Sequence, residues 1–251
     1  MTLADWLDCA DHDALCLELS LFSDRKLHLL TAALLRRVWD QLPSHHTRLA
    51  VAATEKFADG LITAHALAWA RSQAARDEFG DSVWLARGAF DDFDLLNGGQ
   101  CCPDCDWRAA RYGCRVAKQG GILDGARDGI DEPAWVATGA AFRVLSIENP
   151  ADARTRTSAA WQQAWENLFG LVREVLGEDG SADRFAPEWR TSDVRALARG
   201  IYEGDEFDQL PILADALQDA GCDDEAVLVH CRSLGGHVRG CWALDLAMGF
   251  Q

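Results

Sequence analysis

Basic side chains are scarce in this sequence. Twenty-four lysines and arginines stand against 40 aspartates and glutamates, for a formal charge of −16 at pH 7 and an isoelectric point near 4.7. A surface that grips a phosphate backbone needs an excess of positive charge, so nucleic acid is excluded as an expected partner. Long apolar runs are lacking too. No stretch approaches the ~18 consecutive apolar residues of a membrane helix, and no membrane partner is expected. The opening Met1-Thr2-Leu3-Ala4-Asp5-Trp6-Leu7-Asp8 has neither a basic region nor an apolar run ahead of its first acids. It does not read as a secretory signal, and the expected location is the cytoplasm. The chain also carries no Walker A sequence, no G-x-S-x-G elbow, no H-E-x-x-H and no G-x-G-x-x-G, which removes the common phosphate-binding, hydrolase, zincin and dinucleotide readings.

What is present is the composition of a folded protein. The 251 residues are 49% hydrophobic and 25% charged, enough to bury a sizeable core. The acidity is greatest over residues 179–251, with 14 acids and 6 bases. This reads first as a solvated face, and alternatively as a docking surface for a protein partner with a basic surface.

Periodicity indicates helix nearly throughout. Ser23 stands as an N-cap before Leu27, Leu30, Leu34 and Val38, with Leu35, Trp39 and Leu42 widening the stripe up to Pro43. A second helix is expected from Thr47 to Asp59, stopped by Gly60, and a third from the cap Thr63 towards Gly80. His45-His46 reads as a solvent-facing turn. The pattern fails from Ser82 to Gly129, where Gly98-Gly99, Gly120-Gly121 and a cysteine cluster interrupt any long period. It returns over 131–149 and again from Thr155 to Leu176, where Trp161 and Trp165 share one face. In the last third, Thr191, Leu210-Pro211 and Asp223 open three helices, and residues 237–248 can form a fourth. Strand signals are few. The expected fold is all-α, with antiparallel helix pairs stacked as a bundle or short solenoid and a loop-rich, cysteine-containing insertion. The corresponding regions are 1–97, an N-terminal helical region; 98–130, the insertion; 131–178, a central helical pair; and 181–251, a C-terminal helical module.

Nine cysteines is an odd count, and without an export signal it favours reduced thiols or metal ligands over a disulfide framework. Two groups qualify as metal candidates. Cys101, Cys102, Cys105 and Cys114 include one C-x2-C pair that can grip one side of a tetrahedral zinc ion, although the spacing to Cys114 matches no standard pattern. The plainer reading is reduced thiols. The second group is Cys222, His230, Cys231, His237 and Cys241. On a continuous helix His237 and Cys241 would share a face at i, i+4, whereas the adjacent His230 and Cys231 diverge by about 100° and can hardly both ligate. Here too the plainer reading leads: the cysteines are small buried hydrophobes and the histidines cap helix ends or bond carbonyls. The acidic run Asp91-Asp92-Phe93-Asp94 lacks the glycine and distal glutamate of a calcium loop and reads as an exposed turn. No cofactor is demanded by the sequence, and zinc is the one it admits.

Two stretches carry a resemblance. Ser23-Asp24-Arg25-Lys26-Leu27 with Arg36-Arg37-Val38-Trp39 and Ala58-Asp59-Gly60-Leu61 form the first. The second runs through Trp189-Arg190-Thr191, Leu210-Pro211-Ile212-Leu213-Ala214-Asp215-Ala216-Leu217, Ala220-Gly221-Cys222, His230-Cys231-Arg232 and His237-Val238-Arg239-Gly240-Cys241-Trp242. Together they resemble the N-terminal signature and C-terminal module of a large family of uncharacterised bacterial proteins. The resemblance implies an all-α fold and a cytoplasmic protein, and it implies no activity. The cysteine-bearing insertion at 98–130 departs from the alanine-rich helical stretch that family members often carry between the two signatures. The leading functional expectation is therefore a non-catalytic helical protein–protein interaction module. The alternative is a zinc-dependent enzyme or zinc-stabilised domain built on His230, His237 and Cys241, with Asp215 or Asp245 as general base in the enzyme case.

Overall fold

A computed structural model describes residues 22–42, 44–77, 159–177, 185–233 and 236–250. The insertion at 98–130 with Cys101, Cys102, Cys105 and Cys114, the acidic run at 91–94 and the expected helix over 131–149 lie outside the described residues, as do the side chains of Trp161 and Trp165. Among the described residues the fold is all-α: eight α-helices, short 3-10 turns and no strand. None of these helices is long and apolar enough to cross a membrane. The chain divides into two compact units, 1–169 and 170–251.

In the first unit, α1 (Asp24–Arg37) is followed by a 3-10 turn at Trp39–Gln41, α2 (His45–Ala58) and α3 (Ala64–Asp77). Ser23 takes the extended N-cap backbone expected of it, but its hydroxyl makes no capping bond. Asp24 in the first turn and Arg36 and Arg37 in the last complement the helix dipole. Every residue from Lys26 to Leu35 is buried, so α1 is enclosed all round, where the leucine stripe predicts a single apolar face. Ala32 and Ala33 fill part of the remaining faces, and the buried polar residues Lys26, His28 and Thr31 take up the rest. Thr31 satisfies its buried hydroxyl by bonding back to the Leu27 carbonyl at 2.8 Å.

His45 and His46 form the first turn of α2 rather than a loop, because Ser44 supplies the cap: its Oγ accepts from the Thr47 amide at 3.1 Å. The helix ends at Gly60, whose φ of 70° lets Leu61 N–H reach the Lys56 carbonyl at 2.8 Å. Arg25 at the start of α1 meets Asp59 just past the end of α2 at 3.4 Å, which makes the pair antiparallel. Arg36 grips Glu55 with two bonds of 2.8 and 2.9 Å while lying over the Trp39 ring. Thr63 caps α3 as expected, accepting from Ala66 N–H at 3.2 Å.

The second unit opens within α4 (Ala159–Leu176) and continues through α5 (Ser192–Gly204), α6 (Leu210–Asp219), α7 (Glu225–Arg232) and α8 (Trp242–Met248). From α5 onward successive helices pack on one another, and α8 returns to α5. Their shared core contains Val194, Ile201, Leu210, Leu213, Leu217, Val227 and Leu244, joined by Phe185 and Trp189 from the segment ahead of α5. Thr191 caps α5 through Val194 N–H. Asp224, one residue later than the sequence expectation of Asp223, caps α7 by accepting from both Ala226 and Val227 amides. The expected fourth helix over 237–248 is shorter than its pattern. Gly240 at φ 93° turns the chain, Cys241 takes the N-cap position, and helix begins only at Trp242.

Candidate metal centre

That late start decides where the histidines and cysteines go. His237 and Cys241 do not share a helical face, since residues 236–241 are non-helical. They converge nevertheless, because the turn carries Cys241 back to the end of α7, where His230 projects from the last turn. The fourth member comes from far upstream. Glu174, near the end of α4, completes a group of Glu174, His230, His237 and Cys241 whose ligand atoms all lie within 4.8 Å of one another.

The individual separations are short. His237 Nδ1 lies 3.0 Å from Glu174 Oε1, His230 Nε2 lies 3.5 Å from Glu174 Oε2, and His230 Nε2 lies 3.2 Å from Cys241 Sγ. Metal bonds of ~2.0–2.3 Å in a tetrahedron place neighbouring donors about 3.3–3.7 Å apart; these three contacts lie near that range, within a group that spans up to 4.8 Å. The group is sheltered: Cys241 is fully buried, and the side chains of His237 and Glu174 are 3% and 11% exposed. His230, at 18%, is its most open member.

Hydrogen-bond direction fixes the histidine protons. The Ser233 hydroxyl donates to the His230 carbonyl at 2.8 Å, so towards His237 Nε2 at 3.1 Å its oxygen accepts. The Ser233 carbonyl, 3.2 Å from the same nitrogen, also accepts. His237 thus carries a proton on Nε2 and turns Nδ1 to Glu174, the outer-shell arrangement that orients a metal-binding histidine. Burial alone would lower the His237 pKa, but the hydrogen bond and negative charge of Glu174, with the Ser233 carbonyl, outweigh it and hold the pKa above its ordinary value. The Glu174 carboxylate can only accept, so His237 Nδ1 donates to it at 3.0 Å.

The three cysteines separate in role. All are buried free thiols. Burial, reinforced by Glu174, pushes Cys241 well above the usual thiol range. Only a cation in the centre would make it a thiolate. His230 stands within reach of the thiol at 3.2 Å, but Cys241 is fully buried, and a cysteine nucleophile requires access for its substrate. Burial lifts Cys231 to about 12 and also raises Cys222. Both belong to the apolar core and stand outside the metal group, as the plainer sequence reading has it. The candidate bases are also elsewhere. Asp215 is an exposed partner of Arg232 at 3.0 Å, and Asp245 is buried within α8.

Glu174 is the member that sequence reasoning missed. It lies 56 residues before His230 on a helix whose pattern shows only an amphipathic face, and no local spacing marks it. Compared with protein-family models, with curated proteins and with solved structures, the chain finds no match.

Proposed function

We propose that residues 170–251 form a zinc-stabilised helical module, in which Glu174, His237 and Cys241, with His230 beside them, hold the ion. The observation that carries this reading is the convergence of one carboxylate, two imidazoles and one thiol from three separate segments upon a single point. Magnesium and calcium favour all-oxygen sites, whereas a mixed nitrogen, sulfur and oxygen set suits zinc. The ion would supply positive charge to a buried cluster and join α4, the end of α7 and the start of α8. This makes the module a rigid helical platform. Its role in binding a protein partner rests on the acidic balance of the sequence.

The test is elemental analysis of the full chain purified without chelator, followed by thermal unfolding with and without added zinc. One zinc per chain is expected, with a zinc-dependent rise in the melting temperature that is lost in Cys241→Ser and His237→Ala. Ligand at about 1,000 times its Kd stabilises by about 4 kcal/mol. Absence of metal and a melting temperature indifferent to zinc would overturn the reading.

A further inference from the structure

Trp242, the residue after Cys241, donates its indole Nε1–H to His230 Nδ1 across 3.3 Å, with the two rings 4.8 Å apart at their centroids. An indole nitrogen can only donate. His230 Nδ1 is therefore an acceptor, and in the neutral imidazole the proton resides on Nε2, the atom that faces Cys241 and Glu174. A histidine that coordinates through Nε2 has the opposite arrangement: the lone pair of Nε2 goes to the metal and the proton sits on Nδ1. That proton would confront the indole N–H, donor against donor. The two histidines of the centre thus differ in kind. His237 has a proton on the outer nitrogen, held by Ser233, so its inner nitrogen, bonded to Glu174 at 3.0 Å, can release its proton and turn a lone pair to a metal. His230 is held by Trp242 the other way round.

From this opposition we infer that His230 is not a ligand: the metal would take three protein donors, Glu174, His237 and Cys241, while His230 Nε2–H bonds to the Cys241 thiolate, leaving a fourth coordination position for water or a small anion. The inference rests on the zinc reading above. Three protein ligands with one exchangeable position is the composition of a zinc site that receives an outside ligand, whereas four protein ligands close it. An N–H donor on the thiolate would withdraw charge from it, leaving the metal a stronger acceptor for that ligand. The His230 and Glu174 edge is also the least buried side of the group, which places the fourth position towards solvent.

Cobalt(II) bound to the full chain, with azide as the added anion, tests this. The wild-type cobalt absorption bands should shift saturably with azide. His230→Gln, which keeps an N–H donor but ligates poorly, should retain cobalt within about a hundredfold of wild type and keep the azide response. Trp242→Phe frees Nδ1 to take the proton, so His230 Nε2 can close on the metal. Cobalt should bind more tightly and the azide response should vanish. Wild-type bands indifferent to azide overturn the inference, as does a loss of affinity beyond about a hundredfold in His230→Gln, and both outcomes leave a closed four-ligand zinc site standing. A wild-type chain that takes up no cobalt or zinc overturns the zinc reading itself.

Discussion

Arg239 and Asp205 close the end of α5 together. The Arg239 guanidinium donates to the Asp205 carboxylate at 2.6 Å and to the Tyr202 carbonyl at 3.0 Å, while its plane lies over the Tyr202 ring. Asp205 stands at φ 53°, in the left-handed conformation, and Glu206 N–H returns to the Ile201 carbonyl. α6 ends in the same way through Gly221. α5 thus has an aspartate where glycine is the usual residue.

The exchange of Asp205 for glycine should therefore cost little. Its carboxylate is 64% exposed, and ion pairs of that kind contribute about 0–1 kcal/mol, while glycine relieves a left-handed backbone penalty of about 1 kcal/mol. Urea unfolding should rank Asp205→Gly at or above wild type and Asp205→Ala below both. Arg239→Ala loses the carbonyl bond and the ring contact as well, and should cost about 1–2 kcal/mol. A ranking with alanine at least as stable as glycine would mean that the backbone conformation contributes nothing.

His28 gives the first unit a pH dependence. Burial, then the charge of Arg71, lower its pKa from 6.5 to about 4, against a smaller opposing effect of Asp24. Among the described residues its Nδ1 has no hydrogen-bond partner, and its ring meets Phe57 edge-on. The folded state keeps His28 neutral while the unfolded chain protonates it near 6.5. Its contribution is complete above pH 6.5 and is lost as pH falls from 6.5 towards 4. Urea midpoints measured at pH 7 and pH 5 should fall further in wild type than in His28→Leu. Equal falls would place the titration elsewhere.

Leu34 is wholly buried in α1. Leu34→Ala should cost about 2–5 kcal/mol, seen as faster amide exchange along the helix. A loss below about 0.5 kcal/mol would contradict the enclosure of α1 on every side.

Cys231 distinguishes a core cysteine from the candidate metal group. It is buried and outside the metal group, so Cys231→Ala should leave zinc content at the wild-type value and lower stability by about 1 kcal/mol. If zinc is lost along with Cys231, the donor set assigned to the centre is incorrect.

Much of the fold was legible in residues that act locally. Thr63 and Thr191 cap helices because a hydroxyl reaches an amide three residues on, and Gly60 and Gly221 end them through backbone conformation; both kinds of signal are contained in a few adjacent letters. Asp223 and Asp224 mark the limit of that resolution, since either carboxylate could cap and only the path of the chain selects the second. The metal group was half legible. His230, His237 and Cys241 announce themselves by residue type, but the turn at Gly240 that brings them together breaks the helical period from which their geometry was read. Glu174 depends on how α4 meets the following helices, which no spacing encodes. Enclosure of α1 was hidden for the same reason: a stripe records what one helix offers, and its neighbours determine how much is covered.

Glu174 also determines where the C-terminal module can be cut. A fragment starting at residue 181, where the sequence reading begins the C-terminal module, leaves behind Glu174, the carboxylate of the candidate group. One starting ahead of α4 retains it. A metal joining Glu174 to Cys241 ties together two points separated by the whole of α5, α6 and α7. Such a site would form only in the folded chain, so the binding free energy of an ion there would be folding free energy. The short helices α7 and α8, of eight and seven residues, are too brief to persist alone in water. Their permanence would then depend on a tether anchored in a helix that precedes the module's sequence signature.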